Sequence, residues 1–198
     1  MAYYEIEQSV ESTIEVKKSK FYTHLIPYSM FVPELSVMKE RYSKANHFVY
    51  AYRFLNDFDQ VVENQSDDGE PKGSSGKPTL SVLAGKQLIN TAAITARVFG
   101  GVKLGVGGLV RAYSESVKQS VALSNLINYR KMLEMKLESS YSDLDRLKRI
   151  LSSFGSEIIT TEFQAESVSL VIKIQVDFVS KLNNQVNELM YVRFDSSK

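Results

Sequence analysis

Residues 99–113, FGGVKLGVGGLVRAY, contain five of the ten glycines of the chain and follow residues 93–99, whose composition is typical of a buried strand. A helix is predicted after them, over about residues 109–129, because small and apolar side chains recur there at helical spacing. Glycines between a strand and a helix let backbone N–H groups approach a ligand, and the helix N-terminus adds partial positive charge. The segment predicts an anion-binding loop, while a plain tight connection is the alternative interpretation.

A second segment, SDDGEPKGSSGKP at residues 66–78, lies upstream. Residues 64–77 have no large aliphatic or aromatic side chain, so we predict a long polar loop without a packed element. Asp67, Asp68 and Glu70 place three carboxylates in four residues. They are expected either to hold the loop, by pairing with Lys72 or Lys77, or to bind a hard cation such as Mg²⁺.

Charge is segregated along the chain although the net charge is only +1. Residues 1–70 sum to −5, and residues 131–198 sum to −1. Residues 71–130 have eight basic side chains against Glu115 alone, a net charge of +7. Because nine of the ten glycines lie between Gly69 and Gly108, positive charge and backbone freedom overlap, as an anion-binding surface requires.

Several classes of protein are excluded or weakened. The chain has no cysteine, which excludes disulfide scaffolds, thiolate metal sites and cysteine nucleophiles. A Walker A loop is excluded because Pro78 follows Gly76-Lys77 at the position where that motif requires Ser or Thr. The glycines also lack the spacing of a dinucleotide-binding motif. A Ser-His-Asp hydrolase assembled from Ser74 or Ser75, His47 and Asp67 lacks the nucleophile elbow.

The sequence also predicts a location. The first twelve residues are acidic and lack the features of a secretory signal, and the most apolar stretch, residues 91–110, is interrupted by charges and glycines. We therefore expect a cytoplasmic protein without a membrane anchor.

Residues 47–54, HFVYAYRF, predict a strand with two different faces. The aromatic face is interpreted as a core face, with a stacking platform for bases as the alternative. His47 and Arg53 lie on the other face, where we expect them to meet a ligand or the loop that contains Asp67.

A new pattern begins near residue 131. Strands are predicted at residues 133–137, 157–163, 167–176 and 190–194, and helices at 142–154 and 177–189, with Gly155 ending the first helix. This βαββαβ order is the ferredoxin-like arrangement, so we predict an α+β chain with a domain boundary near residue 131.

Four segments together resemble the IMPACT family, specifically its bacterial YigZ-type members. The segments are DDGEPKGSSGKPTL at residues 67–80, ARVFGGVKLGVGGLVRAY at 96–113, KKSKF at 17–21 and NHFVYAYRF at 46–54. The resemblance is specific over residues 1–130, where the sequence motifs match. Beyond residue 130 it rests only on the predicted order of helices and strands. Val49 stands where many members have cysteine, so a thiol-based function is excluded.

The resemblance implies a fold for each domain. Residues 1–130 would share the β-α sandwich of the second domain of a small-subunit ribosomal protein and of part of elongation factor G. Residues 131–198 would form a ferredoxin-like domain similar to another elongation factor G domain. Both similarities point to RNA and the translation machinery. The eukaryotic members' action on a stress kinase pathway relies on an additional amino-terminal RWD domain, which we expect this sequence to be too short to contain, so the role in translation transfers only as a general expectation.

We therefore expect a non-enzymatic, monomeric protein that binds RNA, the ribosome or translation factors and regulates translation. Phosphate contacts are expected from Lys20, Lys77, Arg97, Lys103 and Arg111, and from the backbones of Gly100, Gly101, Gly105, Gly107 and Gly108. The loop motif comprises His47, Arg53, Asp67, Asp68, Gly69, Glu70, Pro71, Gly76 and Pro78. The alternative is a metal-assisted hydrolase, or an enzyme acting on a phosphate or nucleotide, that uses residues 67–70 and His47.

Overall fold

The computed structural model describes residues 2–187 and 193–195, and the chain divides into two compact units. The first unit ends at Tyr129 and the second begins at Arg130. Among the described residues, no helix has the length and apolar character needed to cross a membrane.

A five-stranded antiparallel sheet forms the centre of the first unit, with strand order β2-β3-β6-β4-β5. The elements are β1 Tyr4–Ile6, β2 Val10–Val16, β3 Ser19–Pro27, α1 Phe31–Arg41, β4 His47–Leu55, β5 Val61–Ser66, α2 Gly76–Gly85, β6 Thr91–Val98, α3 Val106–Leu123 and β7 Leu126–Asn128. β6 is buried at its first seven positions because helices cover both faces of the sheet. Its alanines are fully buried, Ala93 in the core cluster with α2 and α3 and Ala92 and Ala96 in the cluster with α1.

α1 packs on one face of this sheet, and α2 and α3 pack on the other. The aromatic face of β4 lies under α1, where the ring of Phe31 is 5.0 Å from that of Tyr50 and 5.1 Å from that of Tyr52. These rings are half-buried and belong to a core cluster with Met38. The geometry therefore favours the core interpretation over a stacking platform.

Two elements of this unit differ from the sequence-based predictions. α3 begins at Val106, after Gly105 with a φ of +70°. It ends at Leu123, before the predicted end, because the residues that follow form β7, which pairs with β1. β5 includes residues 64–66, which were predicted to start the polar loop, so the loop prediction is wrong at these three residues. An edge strand tolerates polar residues because one side of it faces water, so Asn64 and Gln65 pair with β4 without apolar side chains.

The second unit is a four-stranded antiparallel sheet with strand order β11-β8-β10-β9, which confirms the ferredoxin-like prediction. Its elements are β8 Met132–Ser139, α4 Leu144–Ser153, β9 Glu157–Phe163, β10 Val168–Gln175, α5 Val179–Val186 and β11 Arg193–Asp195. Leu137, Leu170 and Ile172 pack against Leu147 and Leu182 of the two helices. Residues 188–192, predicted to end the last helix and start the last strand, lie outside the described residues.

Candidate functional site

Asp67 organises the loop of residues 67–75 between β5 and α2. Its Oδ2 accepts a hydrogen bond from the backbone N–H of Gly73 at 2.7 Å. Its Oδ1 accepts from the Ser75 hydroxyl at 2.7 Å, from the Ser75 N–H at 3.1 Å and from the Gly76 N–H at 2.8 Å. Burial raises the pKa of Asp67, but these hydrogen bonds outweigh it, and its pKa lies below the ordinary aspartate value. The N-terminus of α2 thus already holds an anion, the chain's own carboxylate.

Asp68 fastens the same loop to β4. Its Oδ2 accepts from the backbone N–H of Phe48 at 2.5 Å, and its carbonyl oxygen lies 2.7 Å from Nδ1 of His47. A carbonyl only accepts, so Nδ1 of His47 donates and the ring is fixed in one orientation. Gly69, with a φ of +85°, passes beside this ring, where a Cβ atom would lie 3.4 Å from Nδ1.

Glu70 connects the loop to β6 and α3. Its Oε1 accepts from Nη1 of Arg97 at 2.6 Å and from the Tyr113 hydroxyl at 2.8 Å. Glu70 is 8% exposed and Arg97 6% exposed, so the ion pair is buried. Burial, followed by the negative charge of Glu70, raises the pKa of Tyr113 above its ordinary value.

These contacts bear on the two roles expected of the acidic run, and the donors named above are backbone N–H groups, Ser75, Arg97 and Tyr113 where pairing with Lys72 or Lys77 was expected. All three carboxylates accept hydrogen bonds from inside the protein, which favours holding the loop over binding Mg²⁺. Within the described residues, no group of three or more His, Asp or Glu side chains is placed to hold a metal ion. A Ser-His-Asp hydrolase needs the histidine between the serine and the aspartate. Here Asp67 contacts Ser75 directly, and His47 contacts the backbone of Asp68, so the required order is not formed.

Two predicted ligand-contacting cations have structural partners instead. Arg97 is buried against Glu70 and does not present its charge to solvent. Arg53 is buried, donates through Nε to Glu63 at 2.7 Å and donates through Nη1 to the carbonyl of Leu88 at 2.7 Å. The expectation that either residue meets a ligand is therefore not supported.

The second glycine segment contains one packing glycine and several exposed ones. A Cβ atom at Gly100 would lie 2.0 Å from the backbone carbonyl carbon of Lys18, and its N–H donates to the Ser19 hydroxyl at 3.1 Å. Gly100 is thus needed for close packing, and its N–H is occupied. Gly101 and Gly105 have φ values of +86° and +70°, with open space beside them.

α3 begins at Val106 without a capping side chain. The first backbone N–H groups of a helix have no partner inside the helix, and here they belong to Val106, Gly107 and Gly108. Gly107 is exposed and Gly108 half-buried. This helix N-terminus differs from that of α2, where Asp67 accepts the corresponding hydrogen bonds.

A cavity of about 610 Å³ lies beside the first turns of α3. Arg111, Lys118 and Lys17 bring three exposed cations to its lining, and Gly108 brings backbone. Glu115 is the one acidic residue among the described lining residues. We call these four residues, Lys17, Gly108, Arg111 and Lys118, the basic cavity.

Gly108 and Arg111 were predicted site residues, whereas Lys17 and Lys118 were missed. The spacing of Arg111 and Lys118, seven residues apart on one helix, is the signal that indicates Lys118.

The remaining predicted residues lie outside the basic cavity. Lys20, Lys77 and Lys103 are exposed on β3, in the first turn of α2 and in the loop before α3. Pro71 is exposed in the first loop, and Pro78 is buried in α2. Gly76 passes so close to β5 that a Cβ atom would lie 2.8 Å from the carbonyl oxygen of Ser66.

Comparisons with known proteins bear on both units. The Impact N-terminal domain matches residues 17–121, and a domain of unknown function, DUF1949, matches residues 137–190. An IMPACT family member of Haemophilus influenzae is 33% identical over 178 residues, covering 88% of this chain and 85% of that protein. The IMPACT family member YigZ of Escherichia coli is 33% identical over 156 residues, 76% of each chain. A crystal structure of a hypothetical protein covers 100% of this chain and 98% of its own, with 25% identity and a TM-score of 0.70.

Proposed function

The chain belongs to the IMPACT family, in its YigZ-type branch, and from that premise we propose that it regulates translation by binding the phosphate groups of RNA, free or in the ribosome, without catalysing a reaction. The observation that carries this proposal is the basic cavity, where three exposed cations lie with Gly108, a residue in the uncapped first turn of α3. Phosphate is bound by this combination of full charge and backbone N–H groups.

The turn between β2 and β3 supports the proposal independently. Lys17 and Lys18 both have left-handed backbones, with φ values of +47° and +66°. A two-residue turn of this kind prefers Asn-Gly, and a side chain with a left-handed backbone costs about 1–2 kcal/mol. Lysines at such positions are costly for stability, which suggests that their charge is used in binding.

We propose that the protein does not catalyse a reaction because of the contacts that the carboxylates make in the loop of residues 67–75. The competing enzyme would need the carboxylates of Asp67, Asp68 and Glu70 for a metal ion or a proton, but each accepts hydrogen bonds that hold the loop. The role in translation rests on the family resemblance, whose implied relatives are ribosomal and elongation-factor domains.

An RNA titration at several salt concentrations tests the proposal. Fluorescence anisotropy of single-stranded and hairpin RNA, over about 50–200 mM salt, gives the dependence of the logarithm of the binding constant on the logarithm of salt concentration. We expect a steep slope that becomes shallower by about 1.4 for single-stranded RNA when Lys17 and Arg111 are both changed to Ala, because each lost phosphate contact removes about 0.7.

The matched control is Lys44→Ala, which removes an exposed charge from the loop after α1 and should leave the slope unchanged. Absent binding, or a slope that is equal in wild type and the double variant, contradicts the proposal.

A further inference from the structure

We propose that the groove between α2 and α3 binds an amphipathic helical segment of a protein partner, with apolar residues on one face and acidic residues beside them. This site shares Lys118 with the neighbouring basic cavity, and the proposal goes beyond the RNA-binding role proposed above.

The groove has an apolar floor and a volume of about 780 Å³. Pro78 and Val82 of α2 line one side, and Val121 of α3 with Leu126 of β7 line the other. Gly85 and Ala122 are exposed and small, so the groove stays open to solvent. A volume of this size lies within the range of about 300–1,000 Å³ that ligand sites occupy.

The rim of the groove is positively charged. Lys86, directly after α2, and Lys118 of α3 are both exposed, and they bring one positive charge from each of the two elements that line the groove. Among the described residues that line the groove, none is acidic. A bound segment with an acidic residue on each flank would place one carboxylate near each lysine. We therefore expect the partner to be negatively charged where it borders the rim.

The floor favours a peptide over RNA. Bases are bound by stacking on aromatic rings, and no aromatic side chain lines the groove among the described residues. Aliphatic side chains spaced three or four residues apart on a helix fill such a groove, which is the recurring helix-in-groove mode of recognition.

The probe is a synthetic helical peptide of about four turns, with Leu at positions i, i+3, i+4 and i+7 and Glu at the flanking positions. Binding is measured by calorimetry and by changes in the backbone amide resonances of the full-length protein. The control peptide has the same composition in an order that breaks the helical spacing. We expect the ordered peptide to bind and to shift resonances of α2 and α3, and the scrambled peptide to bind at least about tenfold more weakly.

Two substitutions locate the binding. Lys86→Glu reverses one rim charge, and Ala122→Trp fills the groove from an exposed position, where the fold is checked by thermal unfolding. Each should weaken peptide binding at least about tenfold, whereas Lys44→Glu, outside the groove, should not. No binding by wild type, or wild-type affinity in both groove variants, overturns the proposal.

Two further variants separate this site from the basic cavity. Lys86 does not line the basic cavity and Arg111 does not line the groove. Lys86→Glu should therefore keep the salt slope for RNA, and Arg111→Ala should keep peptide affinity. If RNA instead displaces the peptide and shifts the resonances around Val82, the groove belongs to the RNA surface and the peptide proposal is wrong.

Discussion

Changing Glu70 to Gln removes the charge that neutralises Arg97 inside the first unit. The amide is close in size to the carboxylate and still accepts from Tyr113, but the Arg97 guanidinium, 6% exposed, is left without a counter-charge. Breaking a buried ion pair at one partner costs about 3–5 kcal/mol. At about 4 °C per kcal/mol, the melting temperature of the first unit should fall by roughly 10–20 °C. Differential scanning calorimetry of the full-length chain measures this shift.

Two controls show whether burial is the cause. Glu11→Gln breaks the ion pair with Arg41, whose side chains are 52% and 50% exposed, and should cost at most about 1 kcal/mol. Adding Arg97→Met to Glu70→Gln removes both charges and should recover more than half of the lost stability. A loss for Glu70→Gln no larger than that for Glu11→Gln would refute the reasoning.

Three further outcomes are expected. Asp67→Asn should lower the free energy of unfolding by about 1.5–3 kcal/mol at pH 7. Because the folded pKa of Asp67 lies below the ordinary value, its contribution is full above about pH 4 and is lost as the pH falls through the folded pKa, so urea unfolding of variant and wild type should converge in acid. Gly100→Ala should prevent folding of the first unit or cost far more than Gly101→Ala, since only Gly100 abuts backbone, and a smaller loss at Gly100 by chemical denaturation would contradict its packing role. Replacing Lys17-Lys18 by Asn-Gly should stabilise the chain by about 1 kcal/mol and weaken RNA binding, whereas unchanged RNA affinity would show that these lysines do not contact RNA.

Local patterns were sufficient for most elements of the fold. The alternation of residues 47–54 predicted β4, and the periodicities beyond residue 131 predicted the order of the second unit. β5 was missed because an edge strand needs no apolar face, and the end of α3 was misplaced because β7 is defined by its pairing with β1, more than a hundred residues away.

The residues of the candidate site were predicted only in part, because the surroundings of a charged residue depend on partners that are distant in the sequence. Arg97 and Glu70 are 27 residues apart, and their buried pairing turns a predicted phosphate contact into a structural one. Lys17 lies in the turn between β2 and β3, almost a hundred residues before the other residues of the basic cavity, and local sequence does not reveal that it lies beside α3. The glycine segment was placed before a helix from local sequence, which is correct for Gly100, Gly101 and Gly105, whereas Gly107 and Gly108 lie in the first turn of α3 and not before it.

The most direct test of RNA binding at the basic cavity is a resonance titration of the protein with a short single-stranded RNA. We predict that the backbone amides of Gly107 and Gly108 shift as RNA is added, and that Arg111→Ala reduces both the shifts and the affinity. RNA binding that leaves these two amides unshifted would contradict the account.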